Sequence, residues 1–121
     1  MNRHMIIEGK VIHGAELGRK LGFPTANLDA QTIECDNGVY LSVVKIDGVE
    51  YKAMTNIGLR PSVDGHTRLL EAHIFDYEGT LYDKIIEVRL LSKIRDEQRF
   101  SSIEALQEQL KEDAEKCRNM E

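Results

Sequence analysis

Between residues 18 and 27 the chain reads Gly18-Arg19-Lys20-Leu21-Gly22-Phe23-Pro24-Thr25-Ala26-Asn27. Two glycines, an arginine and a lysine thus precede a rigid proline and two short oxygen-bearing side chains. Glycine permits tight backbone turns and close approach to a ligand, and Arg19 or Lys20 can neutralise phosphate oxygens. Thr25 and Asn27 offer neutral oxygens that suit a hard cation such as magnesium when phosphates supply the negative charge. The chemistry suggested is phosphate handling. The order of residues is not that of a Walker A loop, and there is no Gly-x-Gly-x-x-Gly dinucleotide fingerprint. A tightly turned surface loop anchored by Phe23 and Leu28 explains the same residues, so the anion site and the plain turn both stand.

A second candidate is Glu71, inside the alternating run Leu69-Leu70-Glu71-Ala72-His73-Ile74-Phe75. A carboxylate at a pocket rim can accept a proton from a hydroxyl nucleophile. The alternation leaves two assignments open: Leu69, Glu71 and His73 inward, or Leu70, Ala72 and Ile74 inward with Glu71 exposed. A third candidate is the polar stretch Lys93-Ile94-Arg95-Asp96-Glu97-Gln98-Arg99-Phe100, which can form a ligand wall with Phe100 as a planar surface, or merely a solvated linker. No zinc-ligand spacing or nucleophile–base arrangement emerges elsewhere.

The elements that must hold these residues are mostly strands. Residues 5–13 read as a strand, and residues 14–37 as a long structured loop carrying the glycine–proline segment; loops of that length tend to be functional. Residues 38–46 form a strand, Asp47-Gly48 is a strong hairpin turn, and the return strand covers residues 49–57. Gly58 to Gly65 reads as punctuation. Residues 68–75 and 81–91 are further strands, with Ile86, Val88 and Leu90 on one face. Short antiparallel strands of this kind imply a small barrel or sandwich, and closure into a barrel removes exposed edges. The period then changes. Ser101 and Glu104 have capping-box spacing, and Ile103, Leu106, Leu110, Ala114 and Cys117 recur at helical spacing.

At 121 residues the chain fits one domain, with 41% hydrophobic and 31% charged residues as in ordinary soluble proteins. No apolar run reaches the length of a membrane span, and the N-terminus lacks a signal peptide's apolar stretch, so the cytoplasm is the expected location. Cys35 and Cys117 suggest neither a metal site nor a disulfide framework. The net charge of -5 argues against a nucleic-acid partner.

These motifs together resemble the riboflavin kinase family, in particular the C-terminal kinase domain of bacterial bifunctional riboflavin kinase/FAD synthetases. The matching residues are Gly9-Lys10-Val11, His13-Gly14, Gly18 to Leu28, Gly38-Val39-Tyr40, Asn56 to Pro61, Glu71 to Asp76, Leu81-Tyr82 and Ile94 to Phe100. The similarity as a whole runs from about residue 7 to residue 117, nearly the whole chain. The resemblance implies an all-β core, a six-stranded antiparallel Greek-key barrel with a packed C-terminal α-helix, in a single domain over residues 1–121.

It also implies an activity: ATP- and magnesium-dependent phosphorylation of the riboflavin 5′-hydroxyl to give FMN and ADP. By the same resemblance Thr25 and Asn27 hold the metal and organise the phosphates. Gly14, Gly18 and Gly22 form a phosphate flap with Arg19 nearby, and Glu71 is the general base. Arg95, Glu97 and Phe100 belong to the riboflavin-side loop. Two departures stand out: Ser62 where a threonine is common, and Asp83 where the family usually has glycine. The expected partners are riboflavin and ATP, with no nucleic acid and no membrane. The protein is expected to be a monomer. With no room before Met5 for an adenylyltransferase, FAD is not an expected product, and an FMN adenylyltransferase or regulatory domain is a separate or removed partner. The alternative is a catalytically weak flavin-binding or regulatory module on the same fold.

Overall fold

A computed structural model describes residues 5–12, 24–62 and 65–120. Six strands are present: β1 (Met5–Lys10), β2 (Thr25–Asp29), β3 (Gly38–Ile46), β4 (Val49–Ser62), β5 (Gly65–Ile74) and β6 (Ile85–Asp96), followed by helix α1 (Ile103–Asn119). All pairings are antiparallel, in the order β1-β6-β3-β4-β5-β2. Within it, β6 returns to lie beside β3, the first of three hairpin-connected strands, which is the Greek-key order.

The closed barrel implied by the resemblance is realised only in part. What forms is a six-stranded antiparallel sheet with β1 and β2 at its edges. Among the described residues, one bridge links those edges, where the Ile12 N–H donates to the Asn27 carbonyl at 2.8 Å. β1 spends its whole ladder, Met5 to Lys10, on β6, and the backbone bridge to β2 comes only after its end, at Ile12.

Local chemistry explains most of the elements. At the β3–β4 turn both Asp47 (φ 51°) and Gly48 (φ 84°) are left-handed, as a two-residue hairpin matching the strand twist requires. β4 runs past the expected end at Ile57 as far as Ser62. Beyond Ile57 it pairs only with β5, so Pro61 removes no ladder donor on the β3 side. β2 lies inside the stretch expected to be loop. Its five residues carry little intrinsic strand signal; pairing with the distant β5 decides their conformation.

The sheet buries both faces. One carries the main core, with Leu28, Val44, Ile57, Leu70, Ile74 and Val88 among its members. On the other, Val39, Leu41, Met54 and Phe75 pack against Leu110, Ala114 and Cys117 of α1. The helix starts one residue later than the capping-box spacing suggests: Ser102, not Ser101, is the N-cap, and its hydroxyl accepts from the Ala105 N–H at 3.1 Å. At the other end Lys52 Nζ donates to the carbonyls of Arg118 and Met120, fastening the helix to β4.

Candidate active site

The helix-side face of the sheet is polar towards β2 and apolar towards β3. One cross-strand row runs Asn27, Glu71, Asn56, Val39, Arg95 across β2, β5, β4, β3 and β6. The next row begins Thr25, His73, Met54. β6 slips register twice against β3, and the second slip restores the parity broken by the first, so Arg95 lies opposite Val39.

Glu71 resolves the open alternation in an unexpected way. Leu70, Ala72 and Ile74 do face the main core, yet Glu71 (3% exposed) and His73 are buried on the opposite face. Burying a carboxylate is costly unless polar neighbours compensate, and here the neighbours are amides. Asn27 Oδ1 and Asn56 Oδ1 are buried with no hydrogen-bond partner among the described residues. Acceptors orphaned among the described residues call for a further donor or a cation. Thr25 is two residues from Asn27 on the same face, and its Oγ1 lies 3.4 Å from His73 Nδ1. The pair therefore presents neutral oxygens of the kind magnesium takes alongside phosphates. Among the described residues, no three His, Cys, Asp or Glu side chains converge on a metal position.

In front of Glu71 opens a cavity of about 480 Å³. Asn56, Glu71 and His73 form its floor, Glu97 and Phe100 one wall, and Ile103 and Leu106 of the helix another. Polar side chains thus converge on a cavity that also exposes Phe100, Ile103, Leu106 and Leu110, the mixture found at small-molecule sites. Ile103, expected in the helix's packed stripe, is instead 55% exposed at this wall. The Glu97 carboxylate lies directly over Gly58, where a Cβ would overlap it.

Arg95 ties the wall together. Its Nε and Nη2 both donate to the Asp113 carboxylate, at 3.0 and 2.8 Å, and its Nη1 donates to the Asp96 carbonyl at 3.0 Å. Gln109 Nε2 donates to Asp113 Oδ1 at 3.1 Å. The guanidinium carbon stands 5.8 Å from the Phe100 ring centroid, within cation–π range.

The structure thus gathers Glu71, Arg95, Glu97 and Phe100 around one cavity and sets Thr25 and Asn27 on the strand next to Glu71. Gly14, Gly18, Arg19 and Gly22 lie outside the described residues, as does the Ser62 side chain. Asp83 sits in the Leu81–Lys84 turn with φ 66°, the left-handed conformation that favours glycine, and does not line the cavity. Sequence reasoning gave no role to Asn56 or Asp113. The first stood near the end of the return strand read over residues 49–57, the second among the helix's ordinary surface acids.

The riboflavin kinase (flavokinase) family profile matches residues 1–121, and the chain belongs to that family. It is 43% identical over 109 residues to the RNA-binding riboflavin kinase RibR of Bacillus subtilis, covering 89% of this chain and 47% of that protein. Over 108 residues it is 44% identical to the bifunctional riboflavin kinase/FMN adenylyltransferase of Pseudomonas fluorescens, covering 88% and 35%. The chain therefore spans less than half the length of these relatives. Among solved structures, riboflavin kinase from Trypanosoma brucei superposes with a TM-score of 0.63 at 28% identity, covering 95% of this chain and 78% of that one. A Streptococcus pneumoniae protein described as a macrolide-efflux protein superposes with a TM-score of 0.82 at 37% identity, covering 98% and 40%.

One expectation is overturned by these relatives. The acidic balance argues against a nucleic-acid partner, and none is expected, yet a relative 43% identical is an RNA-binding riboflavin kinase. Net charge averages over the whole surface, whereas nucleic acid is gripped by local basic groups, so a net of -5 excludes nothing by itself. Among the described residues no helix is long and apolar enough to cross a membrane.

Proposed function

We propose that the chain transfers the γ-phosphoryl group of ATP to the 5′-hydroxyl of riboflavin, releasing FMN and ADP. The observation that carries this reading is the buried Glu71 carboxylate on the cavity floor, with the Asn27 oxygen, orphaned among the described residues, beside it on the next strand.

Phosphoryl transfer asks the protein for positioning and charge stabilisation more than for covalent chemistry. The cavity holds riboflavin with its flavin ring against Phe100, Ile103 and Leu106 and its ribityl chain towards Glu71. Glu71 orients the 5′-hydroxyl and receives its proton as the oxygen attacks phosphorus. The new oxygen–phosphorus bond forms as the bond from the γ-phosphorus to the β,γ-bridging oxygen breaks, and that oxygen leaves with ADP. Thr25 and Asn27 would hold magnesium, which supplies charge neutralisation for the phosphates. Gly14, Gly18, Gly22 and Arg19 complete the phosphate side and keep water from competing with the hydroxyl. Arg95, Glu97 and Phe100 shape the flavin side.

The same reading treats residues 1–121 as one catalytic domain, monomeric and cytoplasmic. Its test is an incubation with riboflavin, ATP and magnesium followed by chromatography. FMN and ADP should appear together and cease when the metal is chelated; folded protein that yields no FMN contradicts the proposal.

A further inference from the structure

Helix α1 lines the cavity with Ile103 and Leu106, and two more of its residues reach it indirectly. Asp113 is 3% exposed, and its carboxylate accepts two donors from Arg95 and one from Gln109. Such a buried ion pair seldom adds net stability, because desolvation offsets the Coulomb gain; apolar residues of similar volume often replace it without loss. Its effect here is geometric. Arg95 links three elements: the end of β6, the helix through Asp113, and the connecting wall through the Phe100 ring. A guanidinium held at both Nε and Nη2 by one carboxylate is restrained from rotating. The guanidinium plane beneath Phe100 is therefore set from the helix.

We propose that Asp113 and Gln109 are positioning residues for the riboflavin-facing wall, acting through Arg95 to fix Phe100. The inference rests on the reading of this cavity as the riboflavin site. Neither residue touches substrate. Asp113 orients Arg95, and Gln109, one helical turn earlier, holds the carboxylate in the rotamer that receives it. The nucleotide side, on β2, shares none of these contacts, so losses should fall on riboflavin alone.

The test is the double variant Arg95→Met with Asp113→Leu, which replaces the ion pair by apolar side chains and leaves no buried charge behind. The full chain is compared with wild type by thermal denaturation, by quenching of riboflavin fluorescence, and by KM for riboflavin and for ATP. The expected result is an unchanged or raised Tm, riboflavin Kd and KM raised about tenfold, and ATP KM within about twofold. An unmoved riboflavin KM, or equal rises in both KM values, overturns the proposal by reducing the pair to plain architecture. Should the double variant not fold, Gln109→Leu decides: it should raise riboflavin KM about threefold at constant Tm, and no change overturns the inference. Wild-type protein that neither quenches riboflavin nor forms FMN instead removes the reading beneath it.

Discussion

Asn27 and Glu71 are register partners on adjacent antiparallel strands, both buried and both on the helix-side face of the sheet. Directly opposed residues place their Cβ atoms about 5 Å apart. The pairing of β2 with β5 therefore sets the separation between the proposed metal site and the proposed base. A one-residue slip of β2 would turn Asn27 to the main core and destroy that relationship.

Asn27→Leu should separate stability from activity. The wild-type amide oxygen is buried without a partner among the described residues, so an apolar side chain of similar size removes a desolvation penalty. Thermal denaturation should show an unchanged or higher Tm. Magnesium-dependent FMN formation should fall about a hundredfold, equivalent to about 2.7 kcal/mol of transition-state stabilisation. Unaltered magnesium dependence would remove Asn27 from the metal site.

Replacing Glu71 by glutamine keeps shape and hydrogen bonding but abolishes proton acceptance. The expected outcome is a kcat lowered by about two to four orders of magnitude, with KM for riboflavin and ATP within about threefold. Steady-state kinetics with both substrates check this. A rise in KM at unchanged kcat assigns Glu71 to binding instead.

Alkaline pH should loosen the helix and the β3 region. Burial, reinforced by the Asp113 charge, pushes the Cys117 thiol from 9.0 up to about 11. Burial, reinforced by Cys35 and Asp36, pushes the Tyr40 hydroxyl from 10.0 up to about 12. Both groups hold their protons more tightly when folded. The stability they lend is complete below their unfolded values and is lost as pH rises towards the folded ones. Tm should therefore decline from about pH 9 upwards, and Cys117→Ala should flatten the first part of that decline. Identical slopes in the two proteins contradict the assignment.

Asp83→Gly tests whether the departure from the family's usual glycine matters. The left-handed backbone at Asp83 favours glycine, but glycine also loses more chain entropy on folding; each effect is about 1 kcal/mol and they oppose. The Lys10–Asp83 ion pair, 4.0 Å apart and exposed, adds little. Tm should shift by only a few degrees and the rate of FMN formation should stay the same. A large gain in turnover would show that the aspartate impairs the site.

Much of the sheet was legible in the sequence because its signals are local. Asp47-Gly48 announces the β3–β4 hairpin, and Ile86, Val88 and Leu90 announce the core face of β6. β2 was not legible, since its five residues become a strand only by pairing with β5 some forty residues away. Glu71 was named as the base from its motif, but alternation failed to orient it because both faces of β5 are buried. Asn56 and Asp113 were given no role because a lone asparagine near the end of a strand and an aspartate on a charged helix look ordinary. Their roles come from cross-strand register and from a partner eighteen residues away, at Arg95.

The most direct test follows the γ-phosphoryl group itself, with labelled ATP, magnesium and riboflavin supplied to wild type and to Glu71→Gln. The account predicts label in FMN with one ADP formed per FMN for the wild type, and little label in FMN for the variant although it still binds nucleotide. ADP without labelled FMN, or a Glu71→Gln variant as active as the wild type, would contradict it.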